Sequence, residues 1–74
     1  MSTEQVPSPV TGLVWKCLAA VGDTLNEGDT LMLIESMKME IPVDMPRTGV
    51  LKAILVKEED SVAEGQAVAE IEYA

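Results

Sequence analysis

Phenylalanine and histidine are absent from the chain, and Cys17, Trp15 and Tyr73 are each the only residue of their kind. Each shortage excludes something. With so little aromatic bulk, the core of a 74-residue chain falls to Val, Leu, Ile, Ala and Met, and a chain this short buries only about 60% of its unfolded surface. Without His, zinc and general-base chemistry lose their most frequent side chain. A single cysteine forms no internal disulfide, as expected in a reducing cytoplasm. Cations are few: 5 Lys and Arg face 13 Asp and Glu, for a net charge of −8. That balance disfavours nucleic acid and anionic membrane surfaces, and it suits a partner with a basic docking face. No apolar run has the length of a bilayer span, and the opening "MSTEQ" lacks the pattern of a secretion signal. The expectation is one cytoplasmic β-rich domain over residues 1–74, monomeric in isolation, with residues 1–4 loose.

What the chain does contain is a repeat. "PVTGLVWKCLAAVGDTLNEGDTLMLIE" from Pro9 and "PRTGVLKAILVKEEDSVAEGQAVAEIE" from Pro46 align without a gap at an offset of 37 residues. Pro9/Pro46, Thr11/Thr48, Gly12/Gly49, Leu18/Leu55, Asp23/Asp60, Glu27/Glu64, Gly28/Gly65, Ile34/Ile71 and Glu35/Glu72 are identical pairs. A solenoid needs three or more units, so two copies are expected to pack face to face about a pseudo-two-fold axis.

Each unit reads as β structure: short runs of β-branched residues and leucine, cut by Gly-Asp and Glu-Gly turn signals. Strands are predicted near 4–8, 12–20, 24–26, 30–36, 39–45, 49–57, 61–63 and 67–73. In the long strands Val14, Cys17 and Ala19 match Leu51, Ile54 and Val56 as the inward set. The step of three before the step of two requires a β-bulge in both halves. Cys17 therefore reads as a small core residue, not a reactive thiol. Trp15 matches Lys52 and belongs at the surface or rim. Gly22 matches Glu59, so a positive φ at that position would strain Glu59.

The segment between the repeats, "SMKMEIPVD", holds Lys38 close to their junction. Strands 30–36 and 39–45 are near enough in sequence for a tight hairpin with Lys38 at its tip. The tip follows none of the Asn-Gly or Asp-Gly recipes, and two thioether side chains stand where small polar residues are the easy choice. Such a local conflict points to function. A lysine amine acts as a nucleophile when burial or a neighbouring cation releases its proton, whereas Glu35 and Glu40 favour the ammonium form. Lys38 is thus suited to be an acceptor for another enzyme, not to catalyse alone. The bland alternatives are a solvated turn lysine, and Met37 and Met39 folded inward to cap the barrel.

At these residues the chain resembles a known family. "ESMKME" (residues 35–40) is similar to the Glu-x-Met-Lys-Met-Glu signature of biotinyl domains, the carrier modules of biotin-dependent carboxylases. "VPSPVTGLV", "VGDTLNEGDTL" and "IPVDMPRTGVLKAILV" extend the resemblance over nearly the whole chain. The resemblance implies an all-β flattened barrel, the barrel-sandwich hybrid, of two four-stranded antiparallel sheets. It implies biotin as cofactor, joined to the Lys38 amine by a biotin protein ligase. Lys38 would then shuttle carboxybiotin between biotin carboxylase and carboxyltransferase sites that act on an acyl-CoA or similar acceptor. Met37 and Met39 match the flanking recognition pair, and Glu35 matches a glutamate suited to contact the ligase. The gapless repeat leaves no room for the thumb insertion of some members, so the chain resembles the thumbless carriers and small attachment proteins.

A lipoyl carrier is the nearest rival, since it shares fold and lysine; lipoyl domains usually have Asp where this chain has Met37. An unmodified barrel-sandwich adaptor would account for the fold but not the tip. Glu58-Glu59-Asp60, like Asp23, Glu27 and Asp29, reads as a solvated acidic rim in preference to a cation site, and no metal or catalytic residue is expected. The absence of an Ala/Pro-rich linker fits a free-standing subunit and equally the carrier portion of a longer protein.

Overall fold

The computed structural model describes residues 2–74 and contains eight strands: β1 (Ser2–Pro7), β2 (Gly12–Cys17), β3 (Thr24–Leu25), β4 (Thr30–Ser36), β5 (Met39–Asp44), β6 (Gly49–Ile54), β7 (Ser61–Val62) and β8 (Ala67–Tyr73). They form two four-stranded sheets, ordered β1-β8-β6-β3 and β5-β4-β2-β7, and every pairing is antiparallel. The sheets enclose a core of Val, Leu, Ile, Met and Ala side chains in which Met32, Ile34, Val68, Ala69 and Ile71 are fully buried. The body is elongated, 36 × 17 × 17 Å.

The repeat governs this architecture more closely than face-to-face packing of two units. Each half contributes two strands to each sheet, so the halves interleave. The offset of 37 residues holds through the ladders: Glu40↔Glu35 answers to Thr3↔Glu72, and Asp44↔Thr30 to Pro7↔Ala67. It extends to single bonds in the turns. Glu27 N donates to Thr48 Oγ1 at 3.1 Å and Glu64 N to Thr11 Oγ1 at 3.0 Å.

The expected bulge occurs in both halves. Register shifts between Val14 and Lys16 against β4, and between Leu51 and Ala53 against β8, leaving Trp15 and Lys52 as the extra residues. Val14 and Leu51 are buried, while Cys17, Ala19 and Ile54 pack partly buried against the core. The strands end earlier than the predicted 12–20 and 49–57. After Cys17 and Ile54 the chain turns off the sheet, and aspartates close the turns: Ala20 N donates to Asp23 and Lys57 N to Asp60. β3, β5 and β7 each end one residue early. β1 lies two residues earlier at its start than predicted. Of the residues expected to be loose, Ser2, Thr3 and Glu4 pair with Tyr73, Glu72 and Ile71, and Met1 lies outside the described residues. Arg47 holds this end together, its Nε 2.8 Å from Glu4 Oε1 and its guanidinium 4.4 Å from the Tyr73 ring centre.

Gly12 and Gly49 serve close backbone approach. A Cβ on Gly12 would collide with the Glu35 carbonyl oxygen, and one on Gly49 would lie 2.5 Å from that of Glu72.

Candidate functional site

Ser36 pairs with Met39, so Met37 and Lys38 alone make the connection from β4 to β5. Both have positive φ, 52° and 65°, as a type I′ turn requires. Its twist matches that of the flanking strands, which is why two-residue hairpins favour it. For residues with a Cβ the left-handed region costs about 1–2 kcal/mol each. The tip therefore stores strain that Asn-Gly would relieve, and strain of this kind gathers where function demands particular side chains.

The side chains at the tip point out. Met37 is 90% exposed and Met39 58%, which overturns the inward-capping alternative. The buried methionines are Met32 and Met45. Lys38 is exposed and makes no salt bridge among the described residues. Behind it Glu35 and Glu40 stand directly opposite each other on β4 and β5. Like charges at a cross-strand pair are unfavourable; the corresponding pair in the other sheet is Thr3 and Glu72. The base of the hairpin is anchored by Ser36, whose Oγ donates to the Thr11 carbonyl at 3.0 Å.

Glu35 also borders a groove of about 500 Å³ on the outer face of the β5-β4-β2-β7 sheet, lined by Leu13, Val14, Trp15, Glu35 and Glu59. Leu13 lies opposite Glu35 across β2 and β4. The Glu59 turn folds against β2, with Glu59 N donating to the Val14 carbonyl at 2.6 Å. Reading the sequence assigns no role to Leu13 or Glu59 at the site. The available signal is asymmetry, because Trp15 and Glu59 occupy positions where the other half has Lys52 and Gly22.

The acidic residues set aside as a solvated rim are exposed, and several cap backbone groups: Glu58 accepts from Cys17 N, Asp23 from Ala20 N, Asp29 from Asn26 N and Asp60 from Lys57 N. Among the described residues no acidic or thiol cluster could hold a metal ion. Burial, and then the charge of Glu58, push the Cys17 thiol above its usual range, a direction that disfavours the reactive thiolate.

The molecule is thus an eight-stranded interleaved barrel that presents one lysine on a strained two-residue turn. Residues 4–71 match the family model described as "Biotin-requiring enzyme". The chain is 39% identical over 62 residues to the biotin/lipoyl attachment protein of Bacillus subtilis, covering 84% of this chain and 85% of that one. It is 38% identical to the biotin carboxyl carrier protein of acetyl-CoA carboxylase of Streptococcus pyogenes, over 89% of this chain and 44% of that one. In the crystal structure of Kluyveromyces lactis urea carboxylase, a stretch 41% identical superposes with a TM-score of 0.91, covering 96% of this chain and 6% of that one. The chain belongs to the biotin/lipoyl attachment family. Against the two larger proteins it corresponds to less than half of one and a small fraction of the other.

Proposed function

We propose that the chain is a biotin carboxyl carrier in which Lys38 receives biotin and Met37, Met39 and Glu35 are recognition residues. The observation that carries this reading is the placement of Lys38 at the apex of a two-residue turn, both of whose residues have positive φ. A biotin protein ligase must desolvate and deprotonate the amine in its own active site, and an exposed apex on a stiff hairpin admits such a cleft. Attached biotin supplies a ureido nitrogen on which a carboxyl group travels.

The residues of the chain position and present that group, and none of them makes or breaks a bond in the transfer. Tethering raises the group's local concentration at the biotin carboxylase and carboxyltransferase sites to about millimolar. Methionine is unbranched and polarizable, which suits Met37 and Met39 to contacts with more than one enzyme surface. Glu35, three residues before Lys38, offers the ligase an exposed carboxylate. The acidic pair Glu35 and Glu40 favours basic docking faces on these partners.

A lipoyl arm is the second reading. It draws on the likeness to a biotin/lipoyl attachment protein. Incubation with ATP and either biotin plus a biotin protein ligase or lipoate plus a lipoate protein ligase, followed by intact-mass measurement, separates the two. A biotin-sized gain on the wild type and none on Lys38→Arg is the expected outcome. A gain with lipoate alone would replace this reading with the second.

A further inference from the structure

The groove beside the hairpin is built asymmetrically, in ways that attachment at the tip leaves unexplained. Its apolar surface is Leu13 and Trp15, 45% and 47% exposed, and Glu35 and Glu59 border it. The corresponding residues of the other half are Val50, Lys52, Glu72 and Gly22, and there Lys52 Nζ lies 3.8 Å from Glu70. Glu59 has φ 77° where its counterpart Gly22 has 99°. Glycine serves that backbone without strain, so the backbone gains nothing from glutamate at this position. Neither Glu35 nor Glu59 has a side-chain ion pair or hydrogen bond among the described residues.

We propose that this groove is a resting seat for the biotin ring carried on Lys38 of the same chain, an inference that rests on the assignment of biotin to that lysine. Reach permits it. Glu35 is three residues from Lys38, and at about 3.3 Å per strand residue the near edge of the groove is roughly 10 Å from the Lys38 Cα. The lysine stem and valeryl chain span about eleven bonds, or roughly 14 Å when extended. Chemistry matches as well. The thiophane half of the ring lays an apolar face and a sulfur against Leu13 and the Trp15 indole, a favourable contact for sulfur. The ureido half presents N–H donors, and the Glu35 and Glu59 carboxylates supply charged acceptors, which make the stronger kind of hydrogen bond. Amide formation at Lys38 removes a positive charge three residues from Glu35, and the ureido donors offer the carboxylates partners in its place. A dithiolane ring has no such donor, so the seat distinguishes a biotinyl arm from a lipoyl one.

The experiment uses intact protein whose loading is first established by mass, so a failure of attachment is recognised separately from a failure of seating. Trp15 is the only tryptophan, and its emission reports the groove alone. Biotinylation should shift that emission to the blue and produce nuclear Overhauser contacts between ring protons and the indole; lipoylated protein should show neither. Trp15→Lys and Glu59→Gly copy residues that the fold already accepts at the corresponding positions of its other half. In the biotinylated variants, capture by streptavidin should be about three- to tenfold faster than in wild type, because capture scales with the unseated fraction. Loaded protein without contacts to Trp15, with unchanged emission and equal capture rates, would overturn the seat. An equal emission shift in lipoylated protein would overturn the ureido hydrogen bonds assigned to Glu35 and Glu59.

Discussion

The pair Ser36 and Met39 in one sheet and the pair Tyr73 and Ser2 in the other occupy the same register, yet one is bridged by a strained turn and the other is not. Around the second pair, Arg47 joins Glu4 and covers Tyr73, so these three side chains are engaged with one another. Around the first pair, two methionines, a lysine and two opposed glutamates are left to solvent. Where the two ends agree, the shared residues maintain the fold: the bulges, the threonine anchors and the close glycines. Where they differ, stability is given up in favour of particular exposed side chains. In a duplicated fold, departures from internal symmetry are therefore the place to look for function.

Substitution at the shared glycines tests the agreement with the largest expected effect. Gly12→Ala and Gly49→Ala should each lower stability by about 2–3 kcal/mol in urea unfolding, because backbone must move to admit the methyl group. Only Gly12→Ala, whose collision is with Glu35, should also slow biotin attachment. An equal loss of attachment from Gly49→Ala would show that the tip is not locally controlled.

Relief of strain sharpens the difference between the ends. Met37→Asn with Lys38→Gly installs the favoured type I′ pair and should raise stability by about 1–2 kcal/mol while abolishing attachment. A loss of stability would mean that the observed turn carries no strain. Glu59→Gly should raise stability by less, up to about 1 kcal/mol in urea unfolding, since relieved strain is partly offset by the greater entropy of glycine when unfolded.

The smallest effect concerns Cys17, which stands where the other half has Ile54. Its folded pKa is raised by burial and by Glu58, so the stability it contributes is fully present below the unfolded thiol value and is lost as pH rises through the folded one. The stability of wild type should therefore fall at alkaline pH more than that of Cys17→Ile, with the difference between the two becoming constant toward neutral pH. Parallel pH profiles would remove the thiol from the account of stability.

Much of this architecture is readable from the chain because one offset dictates it. The uneven steps from Val14 to Ala19 and from Leu51 to Val56 require bulges, and the bulges lie at Trp15 and Lys52. The sequence is silent on interleaving, since two repeats that stack and two that exchange strands show the same periodicity. Strand ends are overshot where apolar residues continue past the sheet: Leu18 and Leu55 still donate a backbone hydrogen bond across it but belong to the turns. At the site, the exposed lysine and its flanking residues follow from hairpin length. Leu13 and Glu59 do not, because their proximity to Glu35 arises from pairing between distant segments.

Peptide mapping of ligase-treated, biotin-loaded protein tests the role of the tip most directly. Biotin should be found on Lys38 and on none of Lys16, Lys52 or Lys57. Modification at any of those three at a level comparable to Lys38 would contradict the view that the strained turn, and not lysine exposure alone, selects the amine.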